Sequence, residues 1–279
     1  MTSRIDVHRY SGGCGAEVTG VDLAAASDDD FEQIVAAFRD HGVLFFREQR
    51  LSPEQHIALA ERFGPIDINR FFPADGAYPE IAEVKKEPAQ TTNIGGGWHT
   101  DHSYDEAPAM GSILVARELP ATGGDTLFAN MYAAYEGLSS GLKRTLEHLR
   151  AVHSNHHVFG TQGVYKQEGD AAGLFRNEDL TSEAIHPVVI THPLSGRKSL
   201  YVNPGFTIRF EDWTVEESSD LLAYLYRHAT RPENTCRFRW SEGAVAIWDN
   251  RCTWHYALND YQGQRRLLHR ITVAGCPLH

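Results

Sequence analysis

The sequence predicts a mainly β protein with flanking helices, an α+β arrangement in one domain over residues 1–279. Short runs rich in β-branched and aromatic residues recur from about residue 80 onward, separated by Gly, Pro, Asn and Asp turns, as in a sandwich or barrel. Helical spacing interrupts these runs near residues 131–150 and 214–228. No internal repeat or low-complexity linker divides the chain, and its apolar content of 42% is enough for one large core.

The N-terminal part alternates predicted strands and helices. The runs RIDVHRY and AEVTGVDL predict two strands joined by the glycine turn SGGCG. A capping serine, three first-turn acids and apolar residues spaced by three or four predict a helix over residues 29–41. The apolar run over residues 42–47 predicts a buried strand. A second helix begins with Pro53 in its first turn and ends near Phe63, before a Gly-Pro pair.

The remaining elements follow the same logic. The predicted strands of the second part of the chain are EIAEVKKE, GSILVARE, DTLFANM, VVITHP, SLYVNP, AVAIWDN and HRITVAG. The helix near residues 214–228 begins with Thr214 and Glu217 at the spacing of a capping box. A barrel-like core decorated by helices is therefore expected.

Composition excludes several classes of function. The net charge is −11 without a Lys/Arg block, which makes nucleic acid a poor candidate partner. No segment has the apolar core of a signal peptide or the roughly 18 apolar residues of a membrane span, so we expect a soluble cytoplasmic protein without membrane contact. The scattered cysteines form no CxxC pair and are expected to be free thiols: Cys14, Cys236, Cys252 and Cys276.

The segment around His99 and Asp101 carries the most informative pattern. Residues i and i+2 of an extended segment point to the same side, so these two side chains can hold one ion together. Imidazole combined with one carboxylate suits a mid-row divalent metal. In a chain with 15 histidines such a pair also arises by chance, so the site needs a third ligand and independent support.

His255 is the predicted third ligand. It follows the predicted core strand AVAIWDN, which could deliver it to the mouth of the barrel. Two histidines and one carboxylate leave three coordination positions open, as the activation of O₂ by a metal with a chelating cosubstrate requires. Cys252, three residues before His255, is a less suitable ligand because the nitrogen and oxygen set is already complete.

Two arginines near the C-terminus support an anion-binding site. Arg266 and Arg270 differ by an even number, so both can face the same side of one strand if no bulge intervenes. Arginine captures carboxylates and sulfonates through two parallel hydrogen bonds. The alternative, a pair of exposed cations on an edge strand, stays open from the residues alone.

Taken together, these motifs resemble the TauD/TfdA family of 2-oxoglutarate dioxygenases, which includes taurine dioxygenase, alkylsulfatases and phenoxyalkanoate dioxygenases. The resemblance covers nearly the whole chain, through GAEVTGVDL, WHTD, ELPATGGDTLFANM, HPVVITHPLSGRKSLYVN, AIWDNRCTWHYA and QRRLLHRITVAG. The family pattern is His-x-Asp, a long gap, His, ten residues and Arg. Here 153 residues separate Asp101 from His255, and ten separate His255 from Arg266.

The resemblance implies a double-stranded β-helix, a jelly-roll and cupin-like core. It implies Fe(II), 2-oxoglutarate as cosubstrate and O₂, with decarboxylation to succinate and CO₂ coupled to hydroxylation of a small anionic substrate. It assigns Fe(II) to His99, Asp101 and His255, the distal carboxylate of 2-oxoglutarate to Arg266 and Thr126, the anionic head of the substrate to Arg270, and apolar pocket walls to Phe159 and Phe206. The family also implies a homo-oligomer, a dimer or tetramer.

Several positions depart from taurine dioxygenase in the predicted substrate site. Asn69 and Phe72 stand where that enzyme has histidine and tyrosine, Gly95 replaces an asparagine, and His102 replaces a small apolar residue. The loss of polar partners argues against taurine as substrate. Phe71 and Phe72 favour a more apolar substrate body, or else they pack in the core. A sulfonate, an alkyl sulfate or an aryloxyalkanoate is therefore the expected substrate.

Three alternatives are compatible with the sequence. The chain could be a taurine dioxygenase proper. It could be a cupin-like metal hydrolase or isomerase that uses zinc or manganese at the same ligands and needs no 2-oxoglutarate. It could also be a non-catalytic anion-binding protein that has kept only the barrel.

Overall fold

A computed structural model describes residues 5–72, 74–161, 163 and 180–279 of the protein. Arg4, which begins the first predicted strand, lies outside these residues. The helices are α1 (Asp28–His41), α2 (Pro53–Phe63), α3 (Met131–Glu136), α4 (Ser140–Leu146), α5 (His156–Phe159) and α6 (Val215–Ala229), with a 3-10 helix at Pro232–Asn234. No helix in the described part of the chain is both long and apolar enough to cross a membrane.

Strands make up most of the described core. They are β1 (Asp6–Arg9), β2 (Ala16–Thr19), β3 (Val43–Phe46), β4 (Ile66–Asp67), β5 (Ala74–Asp75), β6 (Tyr78–Lys86), β7 (Gly111–Glu118), β8 (Thr126–Asn130), β9 (Arg150–Ser154), β10 (Glu183–Pro187), β11 (Val189–Thr191), β12 (Lys198–Leu200), β13 (Thr207–Phe210), β14 (Thr235–Phe238), β15 (Val245–Asp249), β16 (Thr253–Ala257) and β17 (Arg266–Val273). The predicted mainly β class with flanking helices is confirmed.

Two sheets form the central sandwich. The larger has the order β1-β2-β3-β15-β7-β17-β6-β5, with β4 paired to β17, and the smaller has the order β14-β8-β16. A buried aromatic cluster contains side chains from both sheets, including Phe45 and Trp248 from the larger and Phe128 and Phe238 from the smaller. Phe45 and Phe238 stack with ring centroids 4.1 Å apart. One hydrophobic core cluster of the protein therefore lies between the two sheets.

The opposite face of the large sheet is covered by helices. Successive side chains of a strand point to opposite faces, and β3 shows this directly. Val43 and Phe45 belong to the cluster between the sheets, while Leu44 and Phe46 belong to a second cluster that includes Ile34 of α1. All four β3 residues are buried, as expected for a strand covered on both sides.

The ends of the longer helices follow the sequence signals. Ser27, Ser52 and Thr214 each cap a helix and form reciprocal capping boxes with the residue three positions later. The α1 helix ends at Gly42, whose φ of 73° lies in the left-handed region that glycine tolerates. The predicted boundaries of α1, α2 and α6 are therefore correct to within about one residue, which is inside the uncertainty of helix assignment.

Several strands of the fold are not apparent in the sequence. The sequence patterns do not indicate strands β4, β5, β9, β10, β13, β14 and β16. The region expected to be helical near residues 131–150 contains two short helices and then begins strand β9, and the predicted SLYVNP strand is limited to Lys198–Leu200. These strands are short and several carry buried polar residues, so their apolar pattern is weak.

Candidate active site

The backbone brings His99 and His255 together. His99 N donates to His255 O at 3.1 Å and His255 N donates to His99 O at 2.8 Å, forming an isolated antiparallel bridge. Side chains of directly opposed residues project to the same side of an antiparallel pair. Their imidazole centroids are accordingly 4.1 Å apart. His255 follows the core strand β15, as expected, and lies on the next strand, β16.

Asp101 completes the cluster from a turn rather than from a strand. Its Oδ1 lies 3.6 Å from His99 Nε2, and its Oδ2 lies 3.6 Å from His255 Nε2. One ligand atom from each of the three residues lies within 4.8 Å of the others. The preceding Thr100 anchors the turn by donating its hydroxyl to Asn250 O at 2.5 Å. The structure therefore brings together the three residues that the sequence predicted.

The protonation states of these groups suit a divalent metal. His99 Nδ1 lies 2.8 Å from Gly97 O and must donate to it, so Nε2 keeps its lone pair for a ligand. Burial lowers the pKa of His255, which keeps that imidazole neutral. Burial alone would raise the pKa of Asp101, but the charge of Arg270 and the nearby imidazoles hold it well below its usual value. The site thus offers two imidazole nitrogens and one carboxylate.

One buried oxygen in this cluster lacks a hydrogen bond. No described residue donates a hydrogen bond to Asp101 Oδ2. The Arg270 Nη2 atom lies 2.9 Å away and forms an ion pair with this oxygen, but it is not aligned for a hydrogen bond. A buried acceptor without a donor is unfavourable unless a cation or ligand binds it. The donor set and this oxygen both fit an ion such as Fe(II).

A second cluster of metal-ligand types has a different character. His192, Asp249 and Cys252 lie together and are buried. The Asp249 carboxylate is already bound by the guanidinium of Arg251 at 2.6 Å and by His192 Nε2 at 3.0 Å. Cys252 thus lies in this buried polar network and not among the ligands around His255. The charge of the Asp249 carboxylate is compensated by Arg251, so the cluster needs no metal.

Both arginines point into the same cavity. Arg266 and Arg270 lie on β17, which is paired on both sides with β6 and β7, and both are buried. The alternative of exposed cations on an edge strand is therefore wrong. A register shift interrupts the pairing of β17 with β7, yet both side chains line the cavity. Four residues along a strand separate their Cα atoms by about 13 Å, so they can bind two different anions.

The environment of Arg266 forms one end of the cavity. Its guanidinium carbon lies 5.9 Å from the ring centroid of Trp240 and 6.0 Å from that of Tyr261. Gly124 has a φ of +71°, and a Cβ there would lie 3.1 Å from Arg266 Cδ. Thr126 Oγ1 accepts a hydrogen bond from Trp240 Nε1 at 3.0 Å, so its own proton remains available for an anion.

The cavity between these groups has a volume of about 310 Å³. Its apolar walls include Phe72, Ile94, Val158, Phe159 and Phe206. That volume lies at the lower end of the range for small-molecule sites. A mostly apolar cavity with a metal-ligand triad and two buried cations can bind a small anion with an apolar body.

The departures predicted from the sequence lie around this cavity. Asn69 and His102 line it, but Asn69 Oδ1 accepts from the backbone amides of Phe71 and Phe72 at 2.9 and 3.0 Å. Phe71 does not line the cavity, and it stacks on Phe159 with centroids 4.5 Å apart. Of the two phenylalanines, Phe72 therefore forms cavity wall and Phe71 forms core.

Gly95 is explained by its surroundings. Its φ of +75° is unfavourable for other residues, and a Cβ there would lie 3.2 Å from His99 Cε1. A larger residue at this position would press against the metal-ligand triad. The glycine therefore leaves room for the imidazole of His99.

Sequence reasoning missed other residues of the site. Trp240 and Tyr261, which pack beside Arg266, lie in irregular segments that no motif indicates. A second group, Arg70, Asp105 and Ser182, joins distant segments beside the cavity. Only its charge complementarity could have suggested this pairing, and the sequence contains many such pairs.

Two imidazoles and a carboxylate inside a two-sheet β sandwich, beside two buried arginines, define a non-haem metal oxygenase that acts with a chelating cosubstrate. The model of the family described as "Taurine catabolism dioxygenase TauD, TfdA family" matches residues 6–272. The chain belongs to this family.

Individual relatives agree with this assignment. The chain is 39% identical to an alkylsulfatase of Acinetobacter baylyi, over 98% of this chain and 86% of that protein. It is 38% identical to an alpha-ketoglutarate-dependent sulfate ester dioxygenase of Pseudomonas putida, over 97% of this chain and 90% of that protein. The crystal structure of a taurine dioxygenase from Burkholderia xenovorans superimposes with a TM-score of 0.81 at 37% identity, covering 97% and 91% of the two chains.

These comparisons confirm the predicted family, the jelly-roll fold and the class of 2-oxoglutarate-dependent dioxygenases, which act with Fe(II) and O₂. They do not support the alternatives of a hydrolase, an isomerase or a non-catalytic binding protein.

Proposed function

We propose that this chain is a single-domain, Fe(II)- and 2-oxoglutarate-dependent dioxygenase that oxidises alkyl sulfate esters. One observation carries the choice of an anionic substrate with an apolar body. Buried Arg270 lies at the metal end of the cavity, 2.9 Å from Asp101, and the walls beyond it are apolar. The relatives named as an alkylsulfatase and a sulfate ester dioxygenase support a sulfate ester over other anions.

In this proposal His99, Asp101 and His255 hold Fe(II), which together with 2-oxoglutarate and O₂ supplies the oxidising power for hydroxylation of a substrate carbon. The hydrogen bond from His99 Nδ1 to Gly97 O fixes the orientation of one ligand ring. The burial of His255 keeps the other ring neutral and able to coordinate. These contacts prepare the ligand set before any ion binds.

Arg266 and Thr126 would orient the cosubstrate from the opposite end. The guanidinium offers two parallel N–H donors to the distal carboxylate, and the Thr126 hydroxyl offers a third donor. Burial lowers the pKa of Arg266 from its usual value. A bound carboxylate would act in the opposite direction, because a nearby negative charge favours the charged guanidinium. The remaining cavity would exclude water around the substrate through Phe72, Phe159 and Phe206.

Arg270 would bind the sulfate head and place the adjacent carbon beside the metal. In the balanced reaction one oxygen atom of O₂ enters succinate and the other enters the C–H bond next to the sulfate oxygen. The resulting hydroxylated carbon breaks its C–O bond to sulfate and becomes an aldehyde carbonyl, releasing sulfate and a proton. The products are therefore an aldehyde, sulfate, succinate and CO₂.

A substrate screen tests this proposal. Hexyl sulfate, hexanesulfonate, phenoxyacetate and taurine would each be incubated with the Fe(II)-loaded enzyme, 2-oxoglutarate and O₂, with succinate and the released anion measured. We expect hexyl sulfate to give the highest kcat/KM, with equal amounts of sulfate and succinate. Higher kcat/KM for taurine or phenoxyacetate would overturn the proposed substrate class.

Two further parts of the proposal come from the family resemblance alone. We propose a cytoplasmic location and assembly as a homodimer or homotetramer. Light scattering of the purified protein during size-exclusion chromatography tests the assembly, and a monomer at all concentrations would contradict it. Cell fractionation with activity measurement tests the location.

A further inference from the structure

A polar cluster that contains none of the three metal ligands connects three segments around the substrate side of the cavity. Its centre is Asp105, whose Oδ1 accepts from Arg70 Nη2 at 2.6 Å and from Ser182 Oγ at 2.9 Å. Asp105 Oδ2 accepts from Arg70 Nη1 at 3.3 Å and lies 3.0 Å from His102 Nδ1. We call the four residues Arg70, His102, Asp105 and Ser182 the Asp105 clamp.

The first connected segment carries part of the cavity wall. Arg70 lies between the cavity residues Asn69 and Phe72. Its guanidinium carbon is 4.9 Å from the Phe71 ring centroid and 5.6 Å from that of Tyr104. Phe71 in turn stacks on the wall residue Phe159. Movement of Arg70 would therefore be transmitted to two walls of the cavity.

The second connected segment continues directly from a metal ligand. His102 follows Asp101, lines the cavity and has a φ of 59°, in the left-handed region. Such a conformation in a residue with a side chain is unfavourable by about 1–3 kcal/mol and persists only where the surroundings hold it. Asp105 N donates to His102 O at 3.0 Å while the Asp105 carboxylate binds the imidazole, so Asp105 holds His102 at both ends.

The third segment is the chain before β10. Ser182 donates its hydroxyl to Asp105, and its backbone N donates to Asn155 Oδ1 at 2.9 Å. Asn155 immediately precedes α5, which carries the wall residues Val158 and Phe159. One carboxylate thus ties together the turn after Asp101, the segment of Asn69 to Phe72 and the start of α5.

We propose that Asp105 is a positioning residue for the substrate. It fixes the apolar walls and the His102 imidazole relative to Asp101, so that the scissile carbon of the substrate lies beside the metal. This inference rests on the proposed function for the identity of the substrate. It does not extend to the cosubstrate, because Arg266 and Thr126 belong to other elements, β17 and β8.

The kinetic test compares Asp105→Asn and Arg70→Gln with Arg62→Gln as control. Arg62 is a matched control because its side chain is 27% exposed against 28% for Arg70, it pairs with Asp28 at 2.8 Å, and it lies over Phe31, which does not line the cavity. Loss of the partly exposed Arg70–Asp105 ion pair in Asp105→Asn and Arg70→Gln is expected to raise KM for hexyl sulfate by about five- to tenfold. The ratio of sulfate to succinate should fall, while KM for 2-oxoglutarate should not change.

Equal increases of both KM values, or an unchanged sulfate-to-succinate ratio in the clamp variants, would overturn the positioning role. Inactivity of the unmodified enzyme on every sulfate ester would instead count against the proposed function. The two failures are therefore distinguishable.

A measurement without substrate keeps the clamp testable in either case. In hydrogen–deuterium exchange of the full-length protein, Asp105→Asn should increase exchange of the Phe71, Phe72 and Asp105 amides together, since their hydrogen bonds depend on the clamped geometry. Arg62→Gln should leave these amides unchanged. Unchanged exchange in Asp105→Asn would contradict the proposal.

Discussion

The substitution Gly205→Ala tests how closely the fold holds the metal ligand His99. A Cβ at position 205 would lie 2.7 Å from His99 Cβ, at least 0.7 Å short of the ordinary contact range that begins at 3.4 Å. The φ of Gly205 lies outside the left-handed region, so backbone strain does not contribute. His99 Cβ cannot rotate away, and two backbone hydrogen bonds to His255 hold its main chain. The clash must therefore displace His99 or the segment opposite.

The expected consequences follow from that displacement. Overpacking of this kind destabilises a protein by about 1–3 kcal/mol. A shift approaching 1 Å in the catalytic geometry can lower the rate about 100-fold. We therefore expect succinate formation by Gly205→Ala to fall by about that factor, and its affinity for Fe(II), or for Mn(II) as an inert substitute, to fall about tenfold or more.

The assay combines succinate formation, isothermal titration with Mn(II) and thermal unfolding. Gly12→Ala is the control, because Gly12 does not line the cavity, a Cβ there would meet nothing within 4 Å and its φ lies outside the left-handed region. The control should bind Mn(II) like the unmodified protein. If Gly205→Ala bound Mn(II) and formed succinate as well as Gly12→Ala, the inference that His99 is rigidly held would be refuted.

Three further predictions concern the ligands, the arginines and pH. His99→Ala or His255→Ala should abolish succinate formation with little loss in thermal unfolding temperature, and full activity in either variant would discredit the ligand assignment. Arg270→Ala should raise KM for hexyl sulfate far more than KM for 2-oxoglutarate, with the opposite for Arg266→Ala; equal changes would mean that the two roles are confused. The pKa of Asp105 is lowered from 3.8 to about 2, because His102 and Arg70 outweigh the effect of burial, which alone would raise it. The ionised carboxylate therefore contributes about 2 kcal/mol to the free energy of unfolding; this contribution is fully present above pH 3.8 and is lost as pH falls through about 2. In that pH window, urea unfolding of Asp105→Asn should depend less on pH than that of the unmodified protein.

The parts of the fold that the sequence revealed are those with regular patterns. The helices α1, α2 and α6 have N-capping serine or threonine residues and apolar faces, and the strand GSILVARE is apolar along most of its length. Such local signals depend on neighbours in sequence alone. The strand β16 carries His255 among polar and aromatic residues, so its role as a strand depends on pairing with β8, which is distant in sequence.

The candidate site likewise contains residues that the sequence reveals and residues that only the tertiary fold brings together. The three ligands could be predicted because their spacing matches a family pattern. The cradle of Gly124, Trp240 and Tyr261 around Arg266 depends on packing between segments that no sequence motif joins. The ion pair of Arg70 and Asp105 likewise requires the tertiary fold, since many acids and arginines could have paired in a chain with 26 basic and 37 acidic residues.

The most direct test of the proposed metal centre is an anaerobic titration of the full-length protein with Fe(II) and 2-oxoglutarate. We expect a visible charge-transfer absorption only when both are present, saturating at one iron per chain, and absent from His255→Ala. A protein that develops no such absorption, or an equally strong absorption in His255→Ala, would contradict the assignment of His99, Asp101 and His255 as the ligands of one iron.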